Sequence, residues 1–422
     1  MTFCAYDKPD NVGGPVSWLR RLLPLLRERD IDARCLFIMH WGETGPAISP
    51  LIDGGFSCRR TSADRTEDRV RWILDELRDD PPDIFVPNLV VAGYFAARWV
   101  RAAGIPTVGI LHSDDEFYSG IQDEFVFGAK EQLLAAIVCV SQQLDLDVAS
   151  RHPRGTIVRR IPYGIAMPAA KGARDSGKLH LAFVGRLAEE QKRITDVVKA
   201  LGRVVTEVPG TDAIIIGDGP DREAVERLLA SDLAGLDIRL AGRMDSDEVQ
   251  RQLSRVDVIV LLSDYEGLPI ALLEAMACGC VPVCLRGRSG ISELVDDDVT
   301  GLLVSDRGDG FVRAIRRLAT EPGLWSRLSD AARERAAEYS DEASADAWVS
   351  LFRELAERAG NRSPIATPRS LSLPRVHPGL ASADVRIAPK PSLAARSLSR
   401  ARMKLGRWRR AAVAKARWGP RT

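Results

Sequence analysis

The chain runs to 422 residues, 45% of them hydrophobic and 28% charged, with a formal net charge of +1; that length exceeds the usual limit of one hydrophobic core and predicts two domains plus an appendage. No apolar stretch is long and charge-free enough to span a bilayer, and Met1 to Asp7 lacks the basic-then-apolar order of a secretion signal. Seven cysteines scattered through hydrophobic runs such as Ile137 to Val140 read as reduced core residues of a cytoplasmic protein, and Cys278-Gly-Cys280 is too closely spaced for a zinc site.

In chain order, a first strand over Thr2 to Tyr6 is followed by Gly13-Gly14 and a helix over Pro15 to Arg29. Further strands are predicted near Arg34 to Ile38, Asp83 to Val86, Thr107 to Leu111, Ile137 to Val140 and Thr156 to Ile161, several with helices between them. This alternation marks a parallel α/β sheet and gives one Rossmann-like domain over 1–167. A polar joint, Pro168 to Lys178, reads as a hinge. A second series, at Leu179 to Val184, Ala213 to Ile216, Ile238 to Ala241, Val256 to Leu262, Val281 to Leu285 and Gly301 to Val304, gives a second Rossmann-like domain over 178–340. Trp348, Leu351, Phe352 and Leu355 fall at helical spacing within 341–358, so that helix packs its apolar stripe on a domain face. Residues 361–391 contain six prolines among Ser, Arg and Ala and are expected to be a flexible linker.

The most informative local pattern is the pair Glu266 and Glu274, eight positions apart, just after the run Val256 to Leu262. A buried parallel strand followed by a helix places Glu266 at the strand-to-helix turn and Glu274 about two turns along the helix. Unpaired amides at the turn, the helix dipole and two carboxylates together suit a nucleoside diphosphate sugar, which needs donors for phosphates and acceptors for hydroxyls. An amphipathic helix with one exposed and one capping glutamate accounts for the pair equally well. Open α/β sheets bind ligands beyond the carboxyl ends of their strands. Arg186, reached through Gly185 from the strand ending at Val184, and Lys192 near the start of the next helix both qualify there. Together they could neutralise one diphosphate.

Neighbouring blocks separate these readings. Glu266-Gly-Leu-Pro to Glu274-Ala-Met-Ala-Cys-Gly resembles the Glu-x7-Glu signature of the retaining glycosyltransferases of family 4, which have the GT-B fold: two Rossmann-like domains facing across a cleft. Phe183-Val-Gly-Arg186-Leu with Lys192, Ile216-Gly-Asp-Gly-Pro220, Ala241-Gly-Arg243 and Gly290-Ile-Ser-Glu293-Leu-Val follow in the family's order. Gly13-Gly14, Val140-Ser141 and Ile161-Pro-Tyr-Gly164 are similar to landmarks of the first domain. The resemblance covers about residues 1–358 and is strongest in the second half.

It implies transfer of a sugar from a UDP- or GDP-sugar to a hydroxyl acceptor, in glycan, polysaccharide or glycolipid biosynthesis. By the same resemblance, Arg186 and Lys192 neutralise the leaving nucleotide, Glu266 contacts the sugar or its anomeric centre, and Glu274 accepts from the ribose hydroxyls. The amides of Gly267 and Leu268 face sugar and phosphates, Arg243 and Met244 lie beside the base, and Gly13 and Gly14 approach the phosphates from the opposing domain. His112, directly after the strand ending at Leu111, is expected at the cleft lip against the sugar. No Asp-x-Asp motif sits in a convincing place, so neither a metal nor another cofactor is expected. Retention implies front-face attack, with a phosphate oxygen of the departing nucleotide taking the acceptor's proton. A nucleotide-sugar 2-epimerase and a non-catalytic scaffold on the same fold are the alternatives. The 341–358 helix is expected to cross back to the first domain.

Charge is unevenly distributed. Residues 361–422 hold 15 Lys or Arg against one acid, Asp384, leaving 44 basic and 57 acidic residues in 1–360. Within 392–418 a helix would gather Ala394, Leu398, Leu405 and Trp408 on one side, which suits an anionic bilayer and a lipid-linked acceptor at the inner face of the membrane. A solvated tail fits the same composition, and no nucleic-acid partner is expected.

Overall fold

The computed structural model describes residues 1–7, 14–39, 47–168, 177–287, 290–381 and 385–387, side chains of 14–17 excepted. Gly13, most of the hinge (169–176) and the basic segment 392–418 lie outside the described residues.

All strands pair in parallel, so every strand delivers its carboxyl end to the same edge of its sheet. In the first half, β1 (Thr2–Asp7), β2 (Arg34–Met39), β3 (Cys58–Thr61) and β4 (Phe85–Val86) form a sheet of order β3-β2-β1-β4. A second sheet, β5-β6-β7, comprises β5 (Val108–Leu111), β6 (Ala136–Cys139) and β7 (Ile157–Arg160). A parallel bridge between Phe85 and Thr107 joins the two edge to edge. The described residues of the second half form one six-stranded sheet of order β10-β9-β8-β11-β12-β13. Its strands are β8 (Leu179–Val184), β9 (Thr211–Ile216), β10 (Ile238–Gly242), β11 (Val258–Leu261), β12 (Val281–Leu285) and β13 (Leu302–Val304). The strand order reverses between β1 and β4 and between β8 and β11, where doubly wound sheets open a ligand crevice. Buried Leu181, Phe183, Val258, Val260, Val281 and Val283 form the spine of the second core. β3, with Cys58 and Thr61 only half-buried, has no hydrophobic run to announce it and is absent from the expected elements.

The Asp341–Glu357 helix returns to the first half. Ser340 caps it by accepting from the Ala343 amide, and Asp341 and Glu342 complement its dipole. Its buried Trp348 lies against Trp18 of the Gly14–Arg27 helix, ring centroids 5.5 Å apart, while Asp346 pairs with Arg29 at 2.6 Å. Ser344 Oγ donates to the Pro162 carbonyl, and Arg159 pairs with Glu354.

The linker expectation fails over 361–381. This segment is a strap laid on the first half: the Ser363 amide donates to the Ala103 carbonyl, Arg362 pairs with Asp83, and Ile365, Leu373 and Leu380 are buried. The turn Pro378–Leu380 seats on the Glu116–Phe125 helix, where His377 Nε2 lies 3.4 Å from Asp123. Composition argued correctly that the strap has no core of its own. It borrows one, because three spaced apolar side chains fill grooves already built by the folded half, and proline lowers the entropy lost on fixing an extended backbone. Residues 1–385 form one compact unit. Among the described residues no helix is long and apolar enough to cross a membrane.

Leu380→Ala is expected to lower stability by about 2–3 kcal/mol, the usual cost of emptying a buried leucine site. Chemical denaturation measures it, and wild-type stability would show that the strap end contributes no packing.

Candidate functional site

The buried run Val258–Leu261 ends at Leu262, and the chain turns through Ser263 to Pro269 before the Ile270–Ala277 helix begins. Glu266 lies in that turn with only 6% of its surface exposed. Its Oε1 accepts from Lys192 Nζ at 2.5 Å and its Oε2 from Gln191 Nε2 at 3.4 Å; Gln191 Nε2 also donates to the Tyr265 carbonyl. The expected single helix carrying Lys192 is two elements: a turn, Glu189–Lys192, and a helix, Ile194–Glu207, separated by Arg193 in the left-handed region. That break lets Lys192 point back at Glu266 while Ile194, Val197 and Val198 face the core.

Gly185 and Arg186 follow β8. Arg186 is exposed, and its charge acts on Tyr265 beside Glu266. The neighbouring Ile216-Gly-Asp-Gly block supports this loop from below: a Cβ on Gly217 would lie 1.9 Å from the Gly185 carbonyl, so only glycine lets the two strand ends meet. Arg243, exposed, and Met244, half-buried, follow β10 at the same sheet edge.

The first half closes over this loop. A Cβ on Gly267 would stand 2.0 Å from the His112 carbonyl, so the glycine after Glu266 is there to admit the opposite half's backbone. Leu268 is buried, and its amide and that of Gly267 precede the helix, outside its internal bonding. His112 itself is buried with both ring nitrogens engaged: Nε2 faces Asn88 Oδ1 at 2.7 Å and Nδ1 faces the Tyr163 hydroxyl at 2.5 Å. Tyr163 stacks on the ring, which accounts for the Ile161-Pro-Tyr-Gly block. Burial pushes the imidazole down to about 3, so it is neutral, donating to Asn88 and accepting from Tyr163. Among the described residues the ring's hydrogen bonds and aromatic contacts fall in the first half, and its carbonyl meets Gly267 of the second. Asp115 caps the Glu116–Phe125 helix by accepting from the Phe117 and Tyr118 amides, and burial holds its carboxyl above the ordinary range.

Glu274 Oε1 accepts from Arg21 Nη1 at 2.8 Å, a contact from the Gly14–Arg27 helix across the cleft. Burial raises the Glu274 carboxyl, Arg21 opposes that rise, and Asp341 adds to it. Glu293 makes a second crossing, accepting from the Gln142 amide and pairing with Arg160. The Gly290-Ile-Ser-Glu293 block thus ties the halves together, and the Gly290 amide donates to the Glu266 carbonyl at 3.2 Å. Gln191 and Arg21 belong to no recognisable motif; only the structure singles them out. Of the expected site residues, Arg186, Lys192, Glu266, Gly267, Leu268 and the His112 backbone converge on one cleft edge, with Glu274 one helix on. Gly14 opens the first helix, and Gly13 lies outside the described residues.

Two measurements probe this geometry. Gly267→Ala is expected to keep the fold yet prop the halves apart, losing activity by about 100-fold, since small misplacements of a reacting pair cost that much; near-normal turnover would refute the close approach. Because His112 stays neutral to about pH 3 while an unfolded histidine protonates near 6.5, its contribution to stability is present above 6.5 and lost as pH falls towards 3. Over that window the wild type is expected to lose up to about 1.4 kcal/mol per pH unit more than His112→Asn. Denaturation at several pH values measures both slopes, and equal slopes would contradict a buried neutral ring.

Residues 169–335 match the family model "Glycosyl transferases group 1". Glycogen synthase of Mycobacterium tuberculosis is 29% identical over 337 residues, spanning 74% of this chain and 75% of the relative. The lipopolysaccharide core biosynthesis glycosyltransferase LpsD of Rhizobium meliloti is 27% identical over 351 residues, 81% and 95% of the two chains. Among solved structures, HepE of Anabaena in complex with UDP and glucose superposes with a TM-score of 0.68 at 15% identity, covering 84% of this chain and all of that one. TarM of S. aureus does so with a TM-score of 0.66 at 13% identity, covering 83% and 99%. The sheet orders, the facing cleft and these likenesses agree: the chain is a glycosyltransferase of the GT-B fold, and its residues 169–335 match the glycosyl transferases group 1 model.

Proposed function

We propose that this glycosyltransferase moves a sugar from a UDP- or GDP-sugar to an acceptor hydroxyl with retention of anomeric configuration, in glycan, polysaccharide or glycolipid biosynthesis. The observation that carries the reading is the buried Lys192–Glu266 pair at the carboxyl edge of the second sheet, with Arg186 exposed beside it and Glu274 on the following helix. HepE, bound to UDP and glucose in its solved structure, supports a nucleotide-sugar donor, and the names of the curated relatives support glycan synthesis.

In this reading the diphosphate lies between Arg186 and Lys192, whose charges answer the negative charge that grows on the nucleotide as the glycosidic bond breaks. The Gly267 and Leu268 amides add donors, and Glu266, next to them, faces positive charge at the anomeric carbon. Glu274 takes the ribose, with Arg243 and Met244 beside the base. The acceptor hydroxyl attacks from the face the nucleotide leaves, and a phosphate oxygen takes its proton. His112 is neutral and has both nitrogens committed, one N–H to Asn88 and one lone pair to Tyr163, so its part is to fix the cleft wall that meets Gly267. With both nitrogens committed, His112 is not placed to serve as the acid or base an epimerase needs. The two cations do the work a metal would, so metal independence is part of the proposal. The acceptor enters over the Glu116–Phe125 side, and the sequence of 392–418 suits an anionic bilayer carrying a lipid-linked one.

Incubation with UDP-, GDP-, ADP- and dTDP-sugars is expected to release nucleotide from one base class, with EDTA leaving the rate unchanged. Arg186→Ala is expected to lower kcat by about 100-fold or more, as loss of one charge-stabilising donor does. Sugar conversion without nucleotide release would replace transfer by isomerisation, and inertness toward every donor would sink the enzyme reading.

A further inference from the structure

Arg21 is two turns into the Gly14–Arg27 helix of the first half, yet its charged end lies in the donor side of the cleft. Nη1 donates to Glu274 Oε1 at 2.8 Å, while Nη2 is buried with no hydrogen-bond partner among the described residues. A guanidinium offers its donors as a flat fork, so fixing one nitrogen on the carboxylate fixes where the other points. A buried charged donor left unbonded is costly, and the cost disappears if a ligand atom accepts from it. The helix is not free to carry the group elsewhere. One turn before Arg21, Trp18 is 96% buried, edge-on to His112 at 5.6 Å and against Trp348 at 5.5 Å.

A ribose hydroxyl both donates and accepts. If it donates to Glu274, its lone pairs remain for a second donor, and Nη2 belongs to the same guanidinium that Glu274 binds through Nη1. We propose that Arg21 is a donor-binding residue supplied by the first half: while Nη1 holds Glu274, Nη2 donates to the 2′-hydroxyl that Glu274 accepts from, so the pair selects ribonucleotides over 2′-deoxyribonucleotides. This rests on the reading of Glu274 as the ribose carboxylate.

Calorimetric titration of UDP, GDP, 2′-deoxy-UDP and 2′-deoxy-GDP into the full chain tests it, using wild type, Arg21→Gln, Arg21→Lys and Glu274→Gln, each first confirmed folded by its thermal transition. Wild type is expected to prefer the ribonucleotide by about tenfold or more, the usual worth of hydrogen bonds to charged groups. The preference should fall close to unity in Arg21→Gln and in Glu274→Gln, and survive in part in Arg21→Lys, which keeps a charge but not the fork. If Arg21→Gln weakens ribo- and deoxyribonucleotides equally, Arg21 is structural and the proposal fails while the donor reading stands. Loss of the preference only in Glu274→Gln has the same meaning. No binding of either diphosphate by wild type would overturn the donor reading and this proposal together.

Discussion

Glu266 is 6% exposed, and a carboxylate so far from water persists only if its charge is answered on the spot. Lys192 and Gln191 answer it, and much of the surrounding backbone is shaped so that they can. Arg193 takes a left-handed conformation to end one turn and begin the next helix, which frees Lys192 to face the loop. The Asp264 amide donates to the Gln191 carbonyl, tying the loop after β11 to the loop after β8. Arg307 reaches the Leu262 carbonyl at 2.8 Å and pairs with Asp264, bracing the same turn from the other side. A cation and an anion are thereby placed together at the carboxyl edge of the second sheet, the pairing that the proposed diphosphate and departing sugar would call for.

The second organising constraint is how closely the two halves meet. Among the described residues the crossings include the His112 carbonyl against Gly267, Arg21 on Glu274, Arg160 and the Gln142 amide on Glu293, and Trp348 against Trp18. They differ in kind. The Trp contacts are buried and apolar, so they set a lasting orientation. Arg21 and Glu274 are each about a third exposed, an ion pair water can compete for and a ligand can share. The cleft is thus held by a buried apolar contact at one side and a partly exposed ion pair at the other.

How far the sequence went depended on whether the deciding interaction was local. The parallel strands were legible because both faces of each are covered, which leaves unbroken runs such as Val258–Leu261 and Val281–Leu285. Edge strand β3 was not, since Cys58 to Thr61 is only partly covered and carries two arginines. Glu266, Glu274, Arg186 and Lys192 were legible from spacing after strands and from the family blocks. The engagement of both His112 nitrogens was not, because Asn88 and Tyr163 lie 24 and 51 residues away.

The sequence by itself therefore determined the α/β class, the two strand series, the order of the glycosyltransferase blocks and the residues at the carboxyl edge of the second sheet, all properties of hydrophobic period and short-range spacing. Tertiary structure alone decided that the proline-rich strap is a packed element, that Gly267 answers to the opposite half's backbone, that Glu293 ties the halves together, and that Arg21 meets Glu274 across 253 residues of sequence. Each depends on surfaces that exist only once both halves have folded. No local pattern in the chain encodes the partner a side chain will find on such a surface.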